Sequence, residues 1–198
     1  MSHQGQLFPT EQVWPDGFVY RPDFLSRTEE AKILEQIQGE MFKAVDFHGY
    51  TAKRRAAEYG LAYDFGSQRT TATKAFPEFL LQLRAHVAAF AGLQSSELVE
   101  GMILEYPPEA PIGWHRDAPQ FGVVAGISLL SSARMRLRPY SAQGKILSVT
   151  LESRSIYVLR GSARWQWQHC IAPVERLRYS IVFRTLRQKE RTEGSAPA

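Results

Sequence analysis

Two residues that can bind a metal lie two positions apart in the segment GWHRDAPQFG, directly before an apolar run. They are His115 and Asp117, and His169 follows in the segment RWQWQHC. Two histidines and one carboxylate form the facial triad that binds non-haem Fe(II) and leaves coordination positions open. A thiolate-rich zinc site is excluded, because the chain has a single cysteine. The alternative is that both histidines are ordinary residues of a β-barrel core.

A pair of arginines in the segment RYSIVFR shares one face of a predicted strand. Arg178 and Arg184 are an even number of residues apart, so in a strand they point to the same side. The opposite side carries the aromatic and apolar residues Tyr179, Ile181 and Phe183. If the apolar side packs on helices, the arginines point into the barrel and need an anion there. A guanidinium group matches a carboxylate in bidentate fashion. A dicarboxylate that also chelates the metal fits this pattern, and solvent-facing arginines are the alternative.

The composition predicts one soluble domain. The chain has 198 residues, of which 44% are hydrophobic and 12% aromatic, enough for a sizeable core. No apolar run is long enough to predict a membrane span, and no leader is recognisable at Met1. The single Cys170 fits a reducing compartment, so a cytoplasmic location is expected, and a buried structural thiol is favoured over a nucleophile.

Positive charge is concentrated in the second half of the chain. Residues 1–100 carry 10 basic and 13 acidic residues, whereas residues 101–198 carry 14 basic and 7 acidic residues. The net charges are therefore −3 and +7. A basic half favours a polyanionic partner or a small anionic ligand, and a solvated basic surface is the alternative.

Helical patterns come first along the chain and strand patterns follow. Ser26 and Glu29 form a predicted capping box before one amphipathic helix, and FPEFLLQLRAHVAAFAGL predicts a second. From Leu98 onward, short strand patterns recur about every ten residues. The fold class is therefore α+β, mainly β, with a jelly-roll barrel buttressed by N-terminal helices. Residues 1–12 and 188–198 are predicted to be loose tails.

The motifs in chain order resemble the AlkB family of Fe(II)/2-oxoglutarate-dependent dioxygenases. The resemblance spans roughly residues 47–186 and includes the segments EYPPEAPIGWHRD, GISLL, RWQWQH and RYSIVFRTL. It implies a single domain with a double-stranded β-helix fold, and Fe(II) bound by His115, Asp117 and His169. It further implies that 2-oxoglutarate, used with O2, is bound by Tyr106, Arg178 and Arg184.

The segment 47–68 is similar to the nucleotide-recognition lid of that family. Arg55, Tyr59 and Tyr63 occupy the positions of the family's basic and aromatic residues. Basic charge beside aromatic rings suits a phosphate backbone and a flipped base. Trp167, two positions before His169, is predicted to wall the substrate pocket. Packing of these aromatic residues in the core is the alternative.

The sequence departs from the family pattern at positions that contact the substrate and at positions that contact 2-oxoglutarate. Ala118, Pro119 and Gln120 stand where repair members carry a base-reading acid, and Leu104 and Ser180 replace two asparagines. The resemblance implies a monomer that demethylates N-alkylated bases in DNA or RNA, preferably single-stranded. One alternative is the same chemistry on a protein side chain or small molecule. The other is a non-catalytic nucleic-acid-binding barrel.

Overall fold

The structure is a computed structural model, and it describes residues 13–47, 50–64, 69–141 and 144–187. The predicted tails, residues 1–12 and 188–198, lie outside the described residues, as does the tip of the lid segment, residues 65–68. Two antiparallel sheets face each other, and helices cover the outer side of the larger sheet. In the part of the chain that is described, no helix is long and apolar enough to cross a membrane.

Both predicted N-terminal helices form. Helix α1 (Arg27–Gln38) begins with the predicted capping box, in which Ser26 Oγ accepts from the Glu29 amide and Glu29 accepts from the Ser26 amide. Helix α2 (Glu78–Ala91) ends where Gly92 takes a left-handed conformation with φ of 67°. A short third helix, α3 (Gly161–Trp165), occupies part of the predicted strand RWQWQHC, so that strand begins later than predicted.

The larger sheet has eight strands, in the order β1-β10-β7-β12-β5-β3-β2, with β4 paired to β3. Its strands are β1 (Phe18–Arg21), β2 (Lys43–Phe47), β3 (Tyr50–Asp64), β4 (Arg69–Ala72), β5 (Leu98–Tyr106), β7 (Phe121–Leu129), β10 (Ile156–Leu159) and β12 (Arg178–Leu186). The smaller sheet has the order β6-β11-β8-β9. Its strands are β6 (Ile112–His115), β8 (Ala133–Pro139), β9 (Leu147–Leu151) and β11 (Trp167–Ile171).

Each face of the larger sheet has its own core. On β12, Ile181 and Phe183 point towards α1 and α2, whereas Val182 points into the core between the sheets. This alternation is the one predicted from the spacing of RYSIVFR. The arrangement confirms the predicted jelly-roll fold with buttressing helices.

The segment 47–68 differs from a simple loop. Its described part lies mostly in β3, a strand of 15 residues that pairs with β2, β4 and β5. Gly60, with φ of 73°, marks the point where β3 leaves β5 and continues alongside β4. The lid-like segment is therefore continuous with the larger sheet.

Candidate metal centre

The smaller sheet brings the two predicted histidines together. His115 ends β6 and lies directly opposite His169 of β11, with ring centroids 4.3 Å apart. Asp117 follows two residues after β6 and approaches the same point. One ligand atom from each of the three residues lies within 4.8 Å of the others. Antiparallel pairing thus joins residues that are far apart in the chain.

The Asp117 carboxylate has one oxygen bound and one free. Its Oδ1 accepts from Arg184 Nε at 2.9 Å and lies 2.7 Å from Arg184 Nη2. Its buried Oδ2 has no hydrogen-bond partner among the described residues and lies 3.7 Å from His169 Nε2. Burial by itself would raise the pKa of Asp117, but the charge of Arg184 and the nearby histidines outweigh it and hold that pKa well below its usual range. The carboxylate is therefore ionised, with a free oxygen that faces the imidazoles.

Both imidazoles are held in the neutral form that binds metals. Burial, together with the neighbouring His115, lowers the pKa of His169 to about 3. Burial also lowers the pKa of His115. His115 Nδ1 lies 2.9 Å from the Gly113 carbonyl, which can only accept, so Nδ1 carries the proton and Nε2 is free. Two neutral imidazoles and an ionised carboxylate with an unpaired oxygen fit Fe(II).

A guanidinium group with one unsatisfied nitrogen lies beside this centre. Arg178 is 1% exposed and borders a cavity of about 30 Å³ together with the three metal-binding candidates. Its Nε donates to Ser128 Oγ at 3.0 Å, and its guanidinium carbon lies 4.9 Å from the centre of the Tyr106 ring. Its Nη1 has no partner among the described residues. A buried cationic donor without a partner fits a carboxylate such as that of 2-oxoglutarate.

Arg184 differs from Arg178 because it already forms ion pairs with two carboxylates. Besides Asp117, it contacts Glu100, whose Oε2 lies 2.5 Å from Arg184 Nη1. Burial would lower the pKa of Arg184, but the charges of Glu100 and Asp117 raise it overall. Arg184 therefore orients the candidate metal ligand Asp117, and its contact with 2-oxoglutarate stays a prediction. Sequence reasoning missed Glu100, although a carboxylate inside the mostly apolar segment LVEGMILEY is a usable signal.

Arg164, an arginine that sequence reasoning missed, secures the loop that follows Asp117. Arg164 of α3 is 2% exposed. Its guanidinium donates to the carbonyls of Asp117 at 3.2 Å, Ala118 at 2.8 Å, Phe121 at 2.8 Å and Gly122 at 3.0 Å. One buried side chain thus satisfies four backbone acceptors and fixes the path of the loop. The sequence carries no signal for this role, because the loop and α3 are far apart in the chain.

Two predicted substrate residues lie on the side of β3 that faces the helices. Tyr59 is 2% exposed and packs in the core beneath the helices. Arg55 shares that side, where its Nη2 lies 2.6 Å from Glu105 and its guanidinium lies 5.8 Å from the Phe42 ring. Odd-numbered residues of this part of β3 thus face the helices and not the metal cavity, and substrate binding by Arg55 and Tyr59 stays a prediction.

The even-numbered residues of β3 face the core between the sheets. Ala56 packs there, and Arg54 is near enough to His115 and Tyr106 for its charge to act on their pKa values. Glu58 has the same orientation and interacts with Arg184; burial raises its pKa. These two residues bring opposite charges to the surroundings of the metal centre.

The remaining two predicted substrate residues, Trp167 and Tyr63, lie in different parts of the fold. Trp167 lies on the inner side of β11, as predicted, and packs against the core between the sheets, but it does not border the cavity. Tyr63 is half-buried in the β3–β4 ribbon beyond Gly60. A role in substrate binding stays a prediction for both.

Comparison with known proteins supports the geometry. The chain is 32% identical over 158 residues to the alpha-ketoglutarate-dependent dioxygenase alkB homolog 7, mitochondrial, of Bos taurus, covering 78% of this chain and 66% of that protein. It is 23% identical over 199 residues to the alkylated DNA repair protein ALKBH8 homolog of Arabidopsis thaliana, covering 87% of this chain and 56% of that protein. The chain thus spans less than two thirds of the length of these relatives.

The fold and a family model agree with these relatives. The structure of OsALKBH1 superposes with a TM-score of 0.66 at 16% identity, covering 88% of this chain and 99% of that one, which is a likeness of fold. The model of the 2OG-Fe(II) oxygenase superfamily matches residues 17–191. This match includes every candidate metal ligand and confirms the predicted pairing of Fe(II) with 2-oxoglutarate and O2. The chain therefore belongs to the 2OG-Fe(II) oxygenase superfamily, as an AlkB-like dioxygenase.

Proposed function

We propose that this protein removes N-alkyl groups oxidatively from nucleobases in DNA or RNA. The observation that carries the proposal is the pair Arg54 and Glu58, which approach the metal centre on one side of β3. Bases methylated at adenine N1 or cytosine N3 are cationic, so a nearby carboxylate favours them, and a guanidinium group suits the adjoining phosphate. The name of the Arabidopsis relative, an alkylated DNA repair protein, is consistent with this choice.

The residues of the centre have separate tasks in the proposed reaction. His115, Asp117 and His169 would hold Fe(II), and Arg178 would bind a carboxylate of 2-oxoglutarate. When bound, Fe(II) with 2-oxoglutarate and O2 supplies the oxidation of a methyl C–H bond to an alcohol, and 2-oxoglutarate becomes succinate and CO2. The N-hydroxymethyl product then loses formaldehyde and leaves the unmodified base.

The surrounding residues keep this site in one arrangement. Arg184 holds Oδ1 of Asp117 and so directs Oδ2 towards the histidines. The Gly113 carbonyl fixes the tautomer of His115. Arg164 fixes the backbone that carries Asp117. Because these contacts exist before substrate binds, the site is preorganised for the metal.

The test is formaldehyde release from methylated oligonucleotides in the presence of Fe(II), ascorbate and 2-oxoglutarate. We expect release from single-stranded substrates above all, because flipping a base costs least there. The variant Glu58→Gln should lower turnover of cationic N1-methyladenine about tenfold relative to neutral N3-methylthymine, a change of about 1.4 kcal/mol. Glu35→Gln, at an exposed position of α1, is the matched control and should leave that ratio unchanged.

One result of this assay would refute the proposed substrate. Turnover of 2-oxoglutarate without formaldehyde release from any methylated oligonucleotide would refute the nucleobase substrate. It would favour the second candidate, hydroxylation of a protein side chain, for which Pro119 at the position of a base-reading acid is the supporting observation. A monomeric state and a cytoplasmic location are part of the same proposal, and size-exclusion chromatography and cell fractionation test them.

A further inference from the structure

The outer side of the smaller sheet carries a regular row of arginines. Arg134, Arg136 and Arg138 alternate on β8 with Met135 and Leu137, both of which are buried in the core between the sheets. Arg134 and Arg136 are exposed and Arg138 is half-buried. Since alternate residues of a strand are about 7 Å apart, the three arginine side chains leave the strand at regular intervals on this side.

Aromatic rings lie among these guanidinium groups. Arg138 and Arg136 place their guanidinium carbons 4.4 and 5.6 Å from the centre of the Trp114 ring. At the end of β8, the guanidinium carbon of Arg116 lies 3.8 Å from the centre of the exposed Tyr140 ring. We call this set the outer arginine face; its members are Trp114, Arg116, Arg134, Arg136, Arg138 and Tyr140.

The charge of the outer arginine face is not neutralised within the chain. Among the described residues, none of its four arginines has a carboxylate oxygen within 4.0 Å. The four strands of the smaller sheet contain no Asp or Glu. By contrast, Arg55, Arg154 and Arg184 each form an ion pair with a carboxylate. The positive charge of this surface is therefore available to bind an external anion.

One arginine of the face is also held in place. Arg138 Nε donates to Gln168 Oε1 at 2.9 Å while its guanidinium lies over Trp114. Because this side chain is already ordered, less conformational entropy is lost when its remaining N–H groups bind an acceptor. The planar guanidinium and the indole together offer a stacking surface of the kind that accepts unpaired bases.

We propose that the outer arginine face binds single-stranded nucleic acid, with arginines on phosphates and the aromatic rings available to bases. The choice of partner rests on the proposed function, but the surface is separate from the metal cavity. The two are close, since His115 points inwards from β6 while its neighbours Trp114 and Arg116 belong to the outer arginine face. A strand bound here therefore lies one sheet thickness from the metal centre. Regular cation spacing and stacked rings favour this partner over an anionic membrane.

The test compares two double variants of equal charge change. Arg134→Gln/Arg136→Gln removes two members of the outer arginine face, and Arg27→Gln/Lys32→Gln removes two exposed charges from α1. Binding of fluorescein-labelled oligothymidylate to the full chain is followed by anisotropy over a range of salt concentrations. Each phosphate contact contributes about 0.7 to the slope of log K against log salt for a single strand. We expect the slope to fall by about 1.4 in the β8 variant only.

The outcomes separate this proposal from the preceding one. Equal slopes for both variants, no binding by the unaltered chain, or binding to phosphatidylserine vesicles without oligonucleotide binding would each overturn the outer arginine face as a nucleic-acid site. If the β8 variant alone loses affinity but no methylated oligonucleotide yields formaldehyde, the surface stands and the demethylation proposal fails. If both variants demethylate and bind alike, the demethylation proposal stands and the surface fails.

Discussion

The buried state of His169 predicts a measurable dependence of stability on pH. In the folded, metal-free protein, burial and the neighbouring His115 lower the pKa of this residue from its ordinary value of 6.5 to about 3. The unfolded chain therefore binds a proton at His169 over a pH range in which the folded chain does not. Proton uptake by the unfolded state favours unfolding, so the protein loses stability as the pH falls from 6.5 towards 3.

The size of the effect follows from the two pKa values. At pH 5 the unfolded histidine is one and a half pH units below its ordinary pKa, and each unit corresponds to about 1.4 kcal/mol. The folded histidine is still neutral at this pH. We expect His169 to lower the free energy of unfolding by about 2 kcal/mol between pH 8 and pH 5. The His169→Gln variant should lack this part of the loss.

The measurement is urea unfolding of metal-free protein, kept in chelator, at pH 8 and at pH 5. Other groups also titrate in this range, including His115, so the informative quantity is the difference between the pH dependence of the unaltered chain and that of the variant. His86→Gln is the matched control, because His86 is exposed on α2. This helix packs on the outer side of the larger sheet, whereas the metal centre lies between the two sheets. An identical loss of stability in the unaltered chain and in His169→Gln would show that His169 is not buried in the neutral form, and the geometry of the metal centre would have to be revised.

Two further predictions concern the arginines of the site. Arg178→Lys keeps the charge but loses the planar fork, so the 2-oxoglutarate concentration needed for the visible charge-transfer band with anaerobic Fe(II) should rise at least tenfold while iron binding changes little; equal 2-oxoglutarate affinity would refute the assignment. Arg164→Ala removes the guanidinium donor from four backbone carbonyls, of which that of Ala118 keeps the Phe121 amide, and should lower the free energy of unfolding by about 3 kcal/mol and weaken iron binding. A stability loss with unchanged iron affinity would mean that Arg164 supports the fold without positioning Asp117.

Much of the fold and part of the site follow from local sequence. The capping box at Ser26 and the apolar spacing of α1 act within a few residues, so the helix was predictable from the chain itself. The same holds for β12, where strand geometry alone places Arg178 on the side opposite Ile181. The types and order of the metal-binding candidates indicated the chemistry, because imidazole and carboxylate ligands suit Fe(II) wherever the chain folds.

The orientation of β3 could not be read from the sequence. Arg55 and Tyr59 fit a recognition lid in residue type, yet Arg54 and Glu58 are the residues that approach the metal centre. The segment pairs with β5 in a register that places Ala56 opposite Leu104, and this register decides which alternate residues face the cavity. A shift of one residue would exchange the two sides, and nothing within the segment specifies the partner strand.

Long-range contacts decided how the charges of the site are balanced. Arg184 is paired with Glu100 across β5 and β12, and Arg164 reaches a loop more than 40 residues earlier in the chain. The outer arginine face likewise exists because β11 lies between β6 and β8 and so brings Trp114 near Arg138. The sequence alone was enough for the ligand types, the two N-terminal helices and the alternation of β12, since these depend on neighbouring residues. Which charge meets which carboxylate was decided only by strand pairing, because electrostatic energy depends on distance in space and on burial, and both are set by the tertiary structure.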